Sequence, residues 1–189
     1  MTGTANDFPM HEKADAPDGS KPLLDQVEKG FGFVPNIFKV LAESPAATQA
    51  YLSLNDILRN HTAFSAQEQE TLLLAISAHN RCDYCVAAHT GAAEGAKLDP
   101  QVIEALRRNR PLPDAGLDAL ARFARTVIQK QGWVDDADIR AFLEAGYTHR
   151  HILDTLVALS MKTLSNYVNH MAETPLDDAL KPKAVESAG

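Results

Sequence analysis

The run from Ser65 to Ala78 constrains the fold more than any other part of the chain. Ser65 followed three residues later by Glu68 is a capping box that opens a helix. Beyond the cap the run carries Leu72, Leu73, Leu74, Ala75, Ile76 and Ala78, and is apolar nearly all round rather than along one stripe. A helix without a solvent face must be surrounded, so the rest of the chain has to wrap it. The remaining signals supply helices for that purpose. They are expected over 22–29, 45–60, from about Cys82 to Gly95, and over 99–108, 115–131, 135–145 and 148–173. Asp99-Pro100 is an N-cap followed by proline at the first helical position, and Gly132 and Gly146 close two of the helices. In the last one Leu153, Leu156, Val157, Leu164, Tyr167, Val168 and Met171 recur at helical spacing and read as core. Residues 30–36 read as a turn with packed aromatic side chains. Period-two alternation is missing throughout. The expected fold is therefore all-α, one domain over 21–180 of seven or so helices, between a mobile leader at 1–20 and a mobile tail at 181–189.

Charge and composition narrow the partners. Among 189 residues, 18 Lys and Arg stand against 25 Asp and Glu, a net charge of −7. Nucleic acid and anionic lipid both select for clustered positive charge, so neither is an expected partner. No apolar run approaches the roughly 20 residues a membrane helix needs, and the N-terminus shows no basic segment leading into an apolar one. The expectation is a soluble cytoplasmic protein. The two cysteines, Cys82 and Cys85, form a single C-x-x-C, too few and too close for a disulfide scaffold.

A helix beginning at Cys82 places Cys82, Cys85 and His89 at i, i+3 and i+7, on one face. Cys85 then falls in the first turn, where open backbone N–H groups and the helix dipole favour a thiolate. His89, one turn on, can hydrogen-bond that sulfur and take its proton. If the chain reverses at Asn80 and Arg81, antiparallel packing brings Glu70 level with His89. Each lies roughly 12–15 Å from the turn along its helix at 1.5 Å per residue. Desolvation of Glu70 beside Leu73 and Leu74 is expected to raise its pKa toward that of a general base. The sum is a dithiol with one activated thiol, able to attack an O–O or S–S bond and then close on itself. Other readings of the same residues remain. The C-x-x-C with His89 and one of His79, His149, His151 or His170 could bind zinc. The cysteines could be inert and buried, and Glu70 a solvated first-turn carboxylate. Asn166 and His170, at i and i+4, could bond the site wall or stitch a subunit interface.

Glu70, eleven residues, then Cys82-x-x-Cys85-x-x-x-His89 resembles the signature of the AhpD-like alkylhydroperoxidases of the carboxymuconolactone decarboxylase superfamily. The likeness covers roughly residues 22–180. Gly32-Phe-Val-Pro-Asn36 and Asn166-Tyr-Val-Asn-His170 are similar to its peroxidase-related branch. The resemblance implies an AhpD-like helical bundle, with the C-x-x-C at the start of a central helix, that assembles into homo-oligomers, trimers or hexamers. It also implies a thiol peroxidase or disulfide reductase that needs no cofactor and no metal. On that pattern Cys85 is the sulfur that becomes sulfenic acid, Cys82 the resolving thiol, and Glu70 and His89 the proton-relay pair. The substrate would be a hydroperoxide and the reductant an external dithiol or thioredoxin-like protein. One position departs: well-studied members carry a histidine between the cysteines, and here it is Tyr84, a poor base at neutral pH. Two further functions fit the residues, a lactone decarboxylase type of lyase using acid–base groups alone, and a non-catalytic redox-sensing oligomer.

Overall fold

The helix opened by Ser65, α4 (Ala66–His79), is buried at every position from Gln69 to Ala78, and both halves of its capping box form. Around it the computed structural model, which describes residues 7–184, places eight more α-helices. These are α1 (Lys21–Phe31), α2 (Asn36–Leu41), α3 (Pro45–His61), α5 (Asp83–Gly95), α6 (Pro100–Arg107), α7 (Ala115–Gln129), α8 (Asp136–Glu144) and α9 (His149–Ala172). A 3-10 turn, Lys181–Lys183, comes after them. No strand occurs among the described residues, and none of their helices is long and apolar enough to cross a membrane. The architecture is all-α, as the patterning requires.

α4 packs on α5, α7, α9 and α6, and so touches both major apolar clusters. On one side Leu72, Leu73 and Ile76 meet Leu120, Phe123 and Met161. There Phe123, Phe142 and Tyr147 stack face to face at 4.2 and 4.5 Å, an apolar anchor for the short α8. On the other side Leu74 and Ala75 meet Val86, Val102 and Leu106. A third cluster, built from Leu24, Val27, Ile37, Phe38 and Leu41, lies under the two cysteines.

The reversal between α4 and α5 is tight. Arg81 takes the left-handed conformation (φ 56°), and Cys82 N–H donates to Ser77 C=O at 3.0 Å. That geometry closes α4 and starts α5 at once. It sets the two helices antiparallel with Cys82 as N-cap, so the C-x-x-C begins a central helix.

Three local expectations are corrected. The short helix α2 falls where a turn and connection are expected: Ile37, Phe38, Val40 and Leu41 are all buried, and packing rather than local periodicity stabilises so short a segment. The aromatic residues of the 30–36 turn are not packed away, since Phe31 is 57% and Phe33 41% exposed. In α9 the apolar stripe is core only in part: Val157 and Val168 pack against the core clusters, but Leu153, Leu156, Tyr167 and Met171 are exposed, whereas Lys162, Ser165, Asn166 and Asn169 are buried. The described part of the leader is seated on the domain, with Ala16 and Ser20 buried and Ser20 Oγ donating to Ala42 C=O at 2.6 Å. The described start of the tail is likewise held, Lys183 Nζ lying 2.7 Å from Glu94. The remainder of both segments lies outside the described residues.

Candidate active site

Three helices converge on the sulfurs. α4 carries Glu70 inward, and α5 presents Cys82 at its N-cap, Cys85 in its first turn and His89 one turn later. α9 contributes Lys162, Ser165 and Asn169 from the facing side. Both cysteines are free thiols and buried. The Cys82 side chain does not cap α5, which leaves the first-turn N–H groups and the positive end of the dipole to favour negative charge on Cys85.

Glu70 sits between two nitrogens. Its Oε1 is 2.5 Å from Arg59 Nη2, and its Oε2 accepts from His89 Nδ1 at 3.1 Å. Burial alone raises the Glu70 pKa, but the hydrogen bond and charge of His89 and the Arg59 guanidinium outweigh it and hold the group below its ordinary value. The expected upward shift is thereby reversed: Glu70 is a fixed carboxylate, not a base near neutrality. An ionised carboxylate only accepts, so the proton between the two lies on His89 Nδ1. The other ring nitrogen, Nε2, is then a lone pair, and it lies 3.0 Å from Lys162 Nζ. Burial, with the nearby Lys162 charge, pushes the His89 pKa down and keeps the ring neutral.

This ordering revises the expected contact of His89 with sulfur. The imidazole reaches Lys162, and Lys162 stands beside Cys85. Cys85 is held well below the usual thiol range, first by a hydrogen bond from Cys82, then, against the effect of burial, by the Lys162 ammonium. Cys82 moves the opposite way, because its proton is held toward Cys85 and burial disfavours a second thiolate. Asn169 Nδ2 donates to Cys85 Sγ at 3.2 Å and lies 3.8 Å from Cys82 Sγ. The pair is thus one thiolate and one thiol sharing a single amide donor.

The four residues singled out in the sequence, Glu70, Cys82, Cys85 and His89, are brought together. Arg59, Lys162, Ser165 and Asn169 are the polar partners that sequence reasoning missed. The signal for the last three exists: Lys162, Ser165, Asn166 and Asn169 fall at i, i+3, i+4 and i+7, a polar stripe inside an otherwise apolar helix. Asn166 and His170 part company. Asn166 is buried and accepts from Asn80 Nδ2 at 2.9 Å, tying the end of α4 to α9, while His170 is exposed. Tyr84 is not a relay. Its hydroxyl donates to Asp177 Oδ2 at 2.5 Å and accepts from Ile37 N–H at 3.3 Å, pinning the C-x-x-C turn to α2 and the chain after α9. Among the described residues no group of three or more His, Cys, Asp or Glu is placed to hold a metal ion. His151 is engaged instead in the capping box of α9.

A partly enclosed cavity of about 340 Å³ opens over this site. Phe31, Phe33, Ile37, Phe38, Tyr51 and Leu180 form its apolar walls, and its polar floor includes Cys85, His89, Lys162 and Asn169. Cys85 faces the cavity; Cys82 is not part of its lining.

The carboxymuconolactone decarboxylase family model matches residues 45–130, the stretch from α3 through α7 that carries Arg59, Glu70, both cysteines and His89. The structure resembles the alkylhydroperoxidase AhpD core of a peroxidase-related protein from Ralstonia eutropha JMP134. Identity is 28% and the TM-score 0.81, over 92% of this chain and 93% of that one. A peroxidase-related protein from Silicibacter sp. TM1040 is similar at 25% identity and a TM-score of 0.77, over 92% of both chains. The debrominase Bmp8, solved with 2,3,4-tribromopyrrole, has a TM-score of 0.76 over 97% of this chain and 96% of its own, but at 13% identity it shares the fold alone. No curated protein matches the sequence. Over residues 45–130 the chain is thus similar to the carboxymuconolactone decarboxylase family, and its fold is that of the AhpD-like proteins.

Proposed function

We propose that the protein is a thiol-dependent alkyl hydroperoxidase that reduces an organic hydroperoxide with the Cys82–Cys85 dithiol. The observation that carries this reading is the asymmetry of the two sulfurs. Cys85 is the ionised one and faces the cavity, while Cys82 waits protonated behind it on the same amide. A thiolate with a neighbouring thiol is the arrangement required for oxygen transfer followed by disulfide closure. The Cys85 thiolate attacks the terminal peroxide oxygen, the O–O bond breaks, and the departing alkoxide takes a proton from the polar floor. Cys82 then attacks the Cys85 sulfenic acid, the disulfide forms, and water leaves. An external dithiol or thioredoxin-like protein supplies the two electrons that restore the thiols. Glu70 and His89 act as the buried pair that keeps this floor ordered and correctly protonated.

The same dithiol can reduce a disulfide by exchange, with Cys85 again the attacking sulfur. The exposed stripe of Leu153, Leu156, Tyr167 and Met171 on α9 supports assembly into a homo-oligomer, the trimer or hexamer, because soluble monomers rarely leave such a stripe uncovered.

The test is mass spectrometry of a Cys82→Ser variant after one equivalent of cumene hydroperoxide. One added oxygen atom on Cys85 is the expected product. An unmodified Cys85 refutes the reading, and lactone turnover that survives Cys85→Ser points to lyase chemistry instead.

A further inference from the structure

We propose that Lys162 is a catalytic residue of the peroxide step, the acid that protonates the oxygen leaving when Cys85 attacks. The inference deepens the hydroperoxidase reading and rests on it. Lys162 is 1% exposed, yet among the described residues it forms no ion pair with a carboxylate. A buried ammonium requires a counter-charge, and the anion available to it is the Cys85 thiolate. Its nearest hydrogen-bond partner, His89 Nε2 at 3.0 Å, can only accept, because Glu70 fixes the ring proton on Nδ1. The chain Arg59–Glu70–His89 therefore aims one N–H bond of Lys162 at His89 and leaves the other two for the Cys85 sulfur and the cavity. Lys162 lines the cavity together with Cys85 and His89, so a peroxide in line with the sulfur presents its leaving oxygen to the same floor. The groups facing the ammonium are Cys85, Cys82, the Tyr51 phenol and His89.

The cycle balances. Cys85 thiolate, hydroperoxide and Lys162 ammonium give Cys85 sulfenic acid, alcohol and Lys162 amine. Cys82 thiol and the sulfenic acid then give the disulfide and water, with the amine able to carry the proton from sulfur to the departing hydroxide. Reduction by an external dithiol returns two thiols, and transfer of the Cys85 proton to the amine restores the starting ion pair.

A counter-ion alone predicts different kinetics from an acid, and two variants separate them. Lys162→Met removes both charge and proton. Lys162→Arg keeps the charge but cannot give up a proton in water. Single-turnover oxidation is followed with cumene hydroperoxide, whose alkoxide needs a proton, and with peroxybenzoic acid, which departs as a stable carboxylate. Rates are divided by the thiolate fraction read from ultraviolet absorbance. The expected result is that both variants lose about a hundredfold or more with cumene hydroperoxide and only about fivefold or less with the peroxy acid. Equal losses with the two oxidants, or recovery of the cumene hydroperoxide rate in Lys162→Arg, overturn the proposal. If Lys162→Met fails to fold, as melting shows, Lys162→Arg carries the comparison. Wild-type protein inert to both oxidants overturns the hydroperoxidase reading and this proposal with it, an outcome distinct from a variant that behaves like wild type.

Discussion

Replacing Asn169 with leucine removes the one amide donor the two sulfurs share while keeping a side chain of similar volume. The bond lost is the 3.2 Å contact from Nδ2 to Cys85 Sγ. A hydrogen bond to a charged acceptor contributes about 1.5–3 kcal/mol. At about 1.4 kcal/mol per unit, the Cys85 pKa should rise by roughly one to two units. Below both pKa values the thiolate fraction then falls about tenfold to a hundredfold. The more basic thiolate that remains is also more nucleophilic, with a Brønsted coefficient of about 0.4–0.5. The net loss in alkylation rate is therefore about threefold to sixteenfold. Stability should scarcely change, because Asn169 Oδ1 is buried without a hydrogen-bond partner and its removal relieves a desolvated acceptor. The assay is the pH dependence of Cys85 alkylation by iodoacetamide in a Cys82→Ser background, with thermal melting as control. An unchanged pH profile in a folded variant refutes the assignment of Asn169 as the thiolate's donor.

Glu70→Gln should destabilise the fold by about 2 kcal/mol at neutral pH, less than a fully buried pair because the Arg59 side chain is 31% exposed and can hydrate. The Glu70 pKa is depressed below 4.5 in the folded state, so this contribution is present above that pH and disappears as pH falls through the depressed value. Urea unfolding of both proteins across that range should show the difference closing, and a difference independent of pH contradicts the ion-pair account. Tyr84→Phe strips Asp177 of its phenolic donor and leaves Ile37 N–H without its acceptor. A loss of about 1–3 kcal/mol in urea unfolding with an unaltered Cys85 titration is expected, and a shifted titration shows that the phenol reaches the sulfur after all. Phe33→Ala should raise KM for cumene hydroperoxide about fivefold, from about 1 kcal/mol of lost apolar contact at the half-exposed cavity rim, and leave hydrogen peroxide kinetics alone. Equal effects on both peroxides remove Phe33 from the substrate's path.

Elements whose causes are local were legible in the chain alone. Ser65 with Glu68, Asp99 with Pro100, Asp135, Gly132 and Gly146 start or stop helices through hydrogen bonds within a few residues, and each acts where it is expected. The register of Glu70, Cys82, Cys85 and His89 belongs to the same class. A single tight turn at Asn80 and Arg81 joins two antiparallel helices, so counting residues along each one places the four groups level. The ionisation of that set was left to the packing of the helices. Arg59 on α3 and Lys162 and Asn169 on α9 arrive from distant parts of the chain, and electrostatic energies depend on distances that no local pattern encodes. Burial alone gave the wrong sign for Glu70, since Arg59 and His89 outweigh desolvation. The inward face of α9 was hidden for the same reason. Burial of lysine and asparagine is unfavourable until partners on other helices satisfy them, and those partners exist only once the helices have packed.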